Sequence, residues 1–310
     1  MWRTAIDYAV YLVVRTAICI AQMIPIEMAA GVCDAVAFVF NDVLHIRRRV
    51  VQENLRHAFP ELSEKARHKL ARRMWRHLFL LAFEAAHAPR KIHKENWQRH
   101  IRLKNVEAMV NAFLDDRPLI LVTGHFGNFE MGGYLLGVFG LYTSAVARTL
   151  DNPFLHRFVE RFRGATGQKL IPKVGGYDQI LEVLASQQTL SVLADQSAGP
   201  KGCWVDFFGR PASTYKAIAL FAMQYDAPII VAGARRLDGP MQFELFCEDI
   251  LDPRTVSDPI AAVREITQWY TKRLEDMIRR DPDQYWWVHR RWKDTRRKKQ
   301  KKAASLPKAA

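Results

Sequence analysis

Hydrophobic positions follow two different rhythms along this chain. Over residues 45–89 they recur at helical spacing: Val50, Val51, Leu55 and Phe59, then Leu70, Met74, Leu78, Leu81 and Phe83, set among many basic residues. Pro60 stops the first of these helices, Ser63 can cap the second, and Pro89 is expected to end it. From Ile101 onward, short apolar runs alternate with amphipathic stretches. Residues 118–122, 144–147, 169–171, 190–194, 203–208 and 228–234 read as strands, with 242–246 a candidate antiparallel partner of the last. Residues 106–114, 129–138, 153–163, 177–186, 215–225 and 259–278 read as helices. This alternation predicts an α/β fold, a mainly parallel sheet flanked by helices.

The N-terminus is apolar but interrupted. Residues 8–14 are apolar, Arg15 breaks the run, and 17–26 resume it with Gln22 and Pro25. No uncharged apolar run reaches about 18 residues, and Asp7 and Arg15 suit a signal peptide poorly. The pattern favours a membrane-anchoring helix over a core helix, with Arg15 snorkelling from a shallow insertion. Residues 28–40 form a second apolar stretch, broken by Gly31 and Asp34. Three segments are expected: N-terminal membrane-associated helices over 1–44, an α/β domain over 45–293, and a basic, disordered tail over 294–310.

Composition changes this picture little. With 49% hydrophobic and 25% charged residues, the chain is not generally disordered. Of the net charge of +14, residues 290–310 carry +9, from ten Lys or Arg against one Asp. The basicity is therefore mainly a tail, suited to anionic lipid, nucleic acid, an acidic protein or plain solubility. Cys19, Cys33, Cys203 and Cys247 show no zinc spacing and too few thiols for a disulfide framework. They read as small core or membrane-facing residues in a reducing compartment, and no metal or cofactor is implied.

Chemistry concentrates in residues 119–130. An apolar strand ends in Gly124-His125, Gly127 permits a sharp turn, and Asn128 can cap a helix starting near Phe129. His125 thus stands at the carboxyl end of a strand, where open α/β sheets place their sites. A neutral imidazole can take a proton from a hydroxyl, and Glu130, five residues on, is a candidate to orient it. Positions five apart do not share a helix face, so the pair depends on the turn folding back. No protein nucleophile accompanies them, which favours a substrate hydroxyl as the attacking group. The plain alternative is a strand-end His with a solvated Glu.

Several stretches in order resemble one family, the bacterial lipid A biosynthesis lauroyl/myristoyl acyltransferases and the related phosphatidylinositol mannoside acyltransferases. They are residues 54–61 (Asn-Leu-Arg-His-Ala-Phe-Pro-Glu), Gly124 to Glu130, Arg148 to Pro153, Arg161 to Gly164, Asp195-Gln196, Phe207 to Pro211 and Asp283 to Trp292. The resemblance implies a glycerol-3-phosphate acyltransferase-like core and an N-terminal membrane helix. It also implies transfer of a fatty acyl chain from acyl carrier protein or coenzyme A to a hydroxyl of a lipid A precursor or related glycolipid. The reaction would take place at the cytoplasmic face of the cell inner membrane. His125 resembles the catalytic His, and Glu130 the carboxylate of its H-x4-D/E motif.

The remaining site residues keep two readings each. Arg148 is an oxyanion or phosphate ligand, or an ion-pair partner of Asp151; Asn128 is a further donor to substrate. Arg163 meets phosphate or complements a helix dipole, and Asp195 holds Arg148 or a second Arg. Arg210 lies near headgroup charge. The aromatic and basic run 285–292 is a membrane interface or core packing, with His289 structural. Lys216 stands where many family members carry a small residue, which leaves donor and acceptor preference open. The expected partners are the thioester donor, the lipid acceptor and an anionic membrane surface, with a monomeric chain and no nucleic acid. The competing class is a non-catalytic basic membrane- or nucleic-acid-binding protein. A hydrolase is disfavoured by the lack of a Gly-x-Ser-x-Gly elbow.

Overall fold

The computed structural model describes residues 2–256, 258 and 260–293; the expectation of a disordered tail over 294–310 falls outside them. Four helices come first: α1 (Trp2–Met23), α2 (Ala29–Phe38, continued by a wide π turn, Val39–Val43), α3 (Arg48–Ala58) and α4 (Glu64–Lys91). Ser63 caps α4 by accepting from the Ala66 N–H. Pro89 does not end α4, which runs two residues further. So near the C-terminus, the missing proline N–H disturbs only the last turn.

α1 is long and apolar enough to cross a membrane, and none of its residues is buried. One face packs on the domain. Tyr8 and Tyr11 meet Phe154, Arg15 lies 4.7 Å over the Phe158 ring, and Gln22 Nε2 donates to the Ala86 carbonyl at 2.6 Å. Arg15 thus sits on this packed face, in a cation–π contact. The other face presents Trp2, Ile6, Val10, Val13 and Ile20 to the surroundings. That is the N-terminal apolar helix the sequence pattern predicts.

The α/β part follows as β1 (Ile101–Lys104), α5 (Glu107–Phe113), β2 (Leu119–Thr123), α6 (Phe129–Val138), β3 (Ser144–Ala147), α7 (Pro153–Gly164), β4 (Lys169–Pro172), α8 (Tyr177–Ala185) and β5 (Thr189–Leu193). Then come β6 (Cys203–Phe207), β7 (Arg210–Thr214), α9 (Ala217–Gln224), β8 (Ile229–Arg236), β9 (Phe243–Leu251) and α10 (Ala262–Arg280). Seven strands form one sheet in the order β1-β9-β8-β2-β5-β3-β4, all neighbours parallel except β8 and β9. β6 and β7 make a separate hairpin. The periodicity misses β1 and β7. β1 is a four-residue edge strand with only Ile101 buried, and Pro211 demotes β7 as a strand signal because it removes a ladder donor.

Central β2 is covered on both faces, as its unbroken apolar run requires. Ile120 and Val122 pack with Ile266, Tyr270 and Leu274 of α10. Leu119 and Leu121 pack with Met131 and Leu135 of α6. Burying each such side chain is worth about 1.5–3 kcal/mol. This rigid strand carries the Gly124–Asn128 turn at its carboxyl end.

Candidate active site

Two close approaches shape the turn. A side chain at Gly124 would bring its Cβ to 3.3 Å from Asp195 Cβ, so the glycine lets the ends of β2 and β5 come together. Gly127 has φ +58°, and a Cβ there would sit 2.1 Å from the Ala234 carbonyl oxygen, so only glycine fits. Asn128 then caps α6, accepting from the Met131 N–H at 3.1 Å. From the other side the C-terminal segment pairs with the turn. The Trp286 N–H donates to the His125 carbonyl at 3.0 Å, and the Gly127 N–H to the Gln284 carbonyl at 2.8 Å.

His125 Nδ1 lies 2.9 Å from Asp195 Oδ1. A carboxylate at Nδ1 fixes the Nδ1–H tautomer and leaves Nε2 free to accept a proton. Asp195 is 2% exposed. Burial pushes its pKa up, but the charge and hydrogen bond of His125, with backbone N–H groups of His125 and Asp195, outweigh burial and hold it below the usual carboxylate range. The imidazole is flanked edge-to-face by Trp286 at 4.8 Å and Phe129 at 5.1 Å. Among the described residues, no serine or cysteine side chain hydrogen-bonds it.

Glu130 is occupied elsewhere. Its two oxygens accept from Arg163 Nη2 at 2.6 Å and Nε at 3.0 Å. α6 starts at Phe129 and carries Glu130 away on its first turn, so the partner of His125 is Asp195 and not the motif carboxylate. Burial lowers the Arg163 pKa, but the Glu130 pair more than compensates and raises it. Both residues line the cavity described below, so the Arg163 charge is held facing it. Asp195 holds neither Arg148 nor a second Arg by a hydrogen bond; it holds His125.

The other expected residues divide. Asn128 is fully buried, with its Oδ1 spent on the cap and its Nδ2 donated to Glu84 at 2.8 Å, so its side chain does not face substrate. Arg148 pairs with Asp151 at 3.0 Å, is exposed, and lines the cavity mouth. Arg210 is exposed on the β6–β7 hairpin, outside the cavity lining. Tyr285 and Trp287 are buried, which makes these two core packing rather than a membrane interface, while half-buried Trp286 stands against His125 and Phe129. Asn54 secures this segment, donating to the carbonyls of Trp287 at 2.7 Å and His289 at 2.6 Å. His289 accepts from the Ser197 N–H, and burial pushes its pKa down to about 4.

A buried network that the sequence alone does not reveal supports the turn from behind. Glu84 of α4 accepts from Arg236 Nε and Nη2, both at 2.6 Å. Arg236 also donates to His77 Nδ1. With Nδ1 accepting, Nε2 carries the hydrogen and donates to the Gly127 carbonyl at 3.0 Å. Burial, then the Arg236 charge, push the His77 pKa well below its ordinary value.

Native His77 therefore stays neutral, while the unfolded chain protonates it near pH 6.5. Below that pH the unfolded state binds more protons, so stability falls as pH falls, by about 1.4 kcal/mol per unit for each such group. His289 adds to this between pH 6.5 and about 4. Urea unfolding between pH 7 and 5 should show this slope, and His77→Gln should flatten it. An unchanged slope in that variant would exclude His77 as a source.

A cavity of about 740 Å³ opens beside His125, within the usual range for small-molecule sites. It arises where the sheet splits. β3 and β5 pair only at Ser144–Leu190 and Ala145–Ser191, so their carboxyl ends diverge. Small residues, among them Gly132, Gly133, Ala232 and Gly233, and apolar ones, among them Met109, Leu136 and Leu245, line the interior. Cations Arg148, Arg163 and Lys173 line it too. An apolar chain fits such an interior, with its polar head near His125 and the cations.

Comparison with known proteins identifies the family. The chain is 24% identical over 257 residues to the lipid A biosynthesis lauroyltransferase of Escherichia coli (strain K12), covering 80% of this chain and 79% of that one. It is 24% identical over 254 residues to the palmitoleoyltransferase of the same strain, with the same shares covered. A solved 1-acyl-sn-glycerophosphate acyltransferase from Thermotoga maritima overlaps loosely, with a TM-score of 0.37 at 14% identity, covering 80% of this chain and 98% of that one. The family model for bacterial lipid A biosynthesis acyltransferases matches residues 2–294, nearly the whole chain. With a base, an apolar cavity and an N-terminal apolar helix in place, the chain belongs to the bacterial lipid A biosynthesis acyltransferase family.

Proposed function

We propose that this acyltransferase moves a fatty acyl chain from a thioester on acyl carrier protein or coenzyme A to a hydroxyl of a lipid A precursor, with His125 as general base. His125 Nε2 takes the hydroxyl proton as the oxygen attacks the thioester carbonyl. The tetrahedral oxyanion collapses, the C–S bond breaks, and the imidazolium returns the proton to the leaving thiolate. Asp195 keeps the Nδ1–H tautomer and stabilises the imidazolium. Glu130 acts through Arg163, holding a guanidinium where acceptor phosphate or the developing oxyanion can meet it. Arg148 at the mouth serves the same anionic groups. The chain works as a monomer at the cytoplasmic face of the inner membrane, where both thioester donors are available.

The observation that carries this reading is the His125–Asp195 pair beside an apolar cavity with no protein nucleophile on the imidazole. Two anionic donors fit the cationic mouth. The test supplies purified chain with a lipid A precursor and either acyl carrier protein or coenzyme A thioesters of graded length, and follows acceptor mass. The expected product is the acceptor heavier by one acyl group, with the free thiol released in equal amount. Thiol release without acylated acceptor would instead make the chain a thioesterase.

A further inference from the structure

The loops around the cavity mouth carry exposed apolar side chains. Val174 is 89% exposed and Tyr177 58%, while Leu150 and Leu220 are over 40% exposed. Single exposed apolar residues are ordinary, but Leu150 lines the cavity, Val174 and Leu220 each directly neighbour a lining residue in the chain, Lys173 and Phe221, and Tyr177 packs on Phe221. Arg148 and Leu150, on the β3–α7 loop, line the cavity, as does Lys173 at the end of β4. Lys173 Nζ donates to the Tyr215 hydroxyl at 2.7 Å, tying the β4–α8 loop to the segment before α9. Tyr177 packs against Phe221 of α9, a cavity residue, at 6.1 Å.

The turn after Lys173 makes the exposure structural. Gly175 has φ +81°, and a Cβ at Gly176 would fall 2.2 Å from the Pro172 carbonyl oxygen. The two glycines permit this turn, and Val174 stands out at its tip. Exposed Lys216 and Arg148 add positive charge around the rim; Asp178 and Asp151 are the acidic residues nearest in sequence. α1 packs on α7 beside the β3–α7 loop, so this apolar helix lies next to the Leu150 side of the rim.

We infer that this rim is a second membrane contact: Val174, Tyr177, Leu220 and Leu150 enter the surface of an anionic bilayer, while Lys173 and Lys216 meet its headgroups. The contact sets the cavity mouth against the lipid, so an acceptor lipid reaches His125 without crossing water. This rests on the acyltransferase reading for its purpose but not for its test. Charge and apolar side chains at one surface are the combination that interfacial binding uses.

The test uses the full chain carrying Val174→Cys and Cys19→Ser, labelled with a polarity-sensitive fluorophore, with the Cys19→Ser chain as labelling background. Native Cys19, exposed on α1, is labelled separately as the control for membrane engagement. Vesicles of phosphatidylglycerol and phosphatidylethanolamine carry a nitroxide on the acyl chain. Both probes should shift to the blue and be quenched. A Val174 probe that stays in water while the Cys19 probe is quenched overturns the inference. Protection of the Val174 probe by acyl carrier protein but not by vesicles does so too, making the rim a protein-docking face.

As a second readout, Val174→Asp with Leu220→Asp should lower turnover of vesicle-embedded acceptor by at least about tenfold. Turnover of detergent-dispersed acceptor should stay within about twofold. Equal losses in both assays would overturn the inference. Absence of turnover by the unaltered chain would sink the transferase reading alone, and the probe would still decide the rim.

Discussion

Asp195→Asn should cut acyl transfer by about 10³–10⁴-fold, close to the loss from His125→Ala, with little change in acceptor KM. The side chain is 2% exposed and its Oδ1 sits 2.9 Å from His125 Nδ1. Asn has nearly the same shape, so the close packing against Gly124 survives. The amide turns its NH2 toward Nδ1, however, and forces the hydrogen onto Nε2, where the base must be vacant. A loss confined to the transition state lowers kcat and leaves ground-state binding alone. Glu130→Gln is the contrast. It weakens the clamp on Arg163 and should act mainly on acceptor KM, with the pH dependence of kcat unmoved. The reverse ranking, a near-dead Glu130→Gln beside an active Asp195→Asn, would restore the motif carboxylate as the partner of His125.

Why does the H-x4-E spacing mislead about that partner? The sequence shows what lies near in the chain: a strand end, two glycines, an Asn cap and a carboxylate in the first helical turn. All of these local features stand in the structure. The His125 partner comes from the next strand over, 70 residues away, and strand order is set by packing on both sheet faces rather than by any local signal. The same holds behind the turn, where Glu84, His77 and Arg236 lie in segments whose periodicity reads only as amphipathic helix or buried strand. Their one sequence signal is polar residues at positions the helix would bury. Gly124 and Gly127 were legible as turn residues, but not the atoms they make room for, Asp195 Cβ and the Ala234 carbonyl. The aromatic run 285–292 left two readings because Tyr and Trp suit a membrane interface and a core alike. Burial of Tyr285 and Trp287 decides for the core at those two positions.

Glu84→Ala should destabilise the fold by about 3–5 kcal/mol, the cost of removing one partner of a buried ion pair. The typical total stability of a domain is only about 5–15 kcal/mol. Glu84 is 2% exposed and accepts three hydrogen bonds, two from Arg236 and one from Asn128. Without it the Arg236 guanidinium, whose side chain is 11% exposed, keeps among the described residues only His77 as a hydrogen-bonded side-chain partner. Asn128 loses the acceptor that holds its amide while it caps α6. The damage therefore reaches the Gly124–Asn128 turn from behind, through Asn128 and through the His77 bond to the Gly127 carbonyl. Glu84→Gln, which keeps the shape and one acceptor oxygen but turns an NH2 toward a donor of the network, should cost less than Glu84→Ala without restoring the native stability. Urea unfolding of Glu84→Ala, Asn128→Ala and the double variant measures the link directly. Coupled groups should give an interaction energy within about 0.5–3 kcal/mol. Additive effects would mean that Glu84 and Asn128 stabilise the chain independently and that Glu84 does not hold the turn through Asn128.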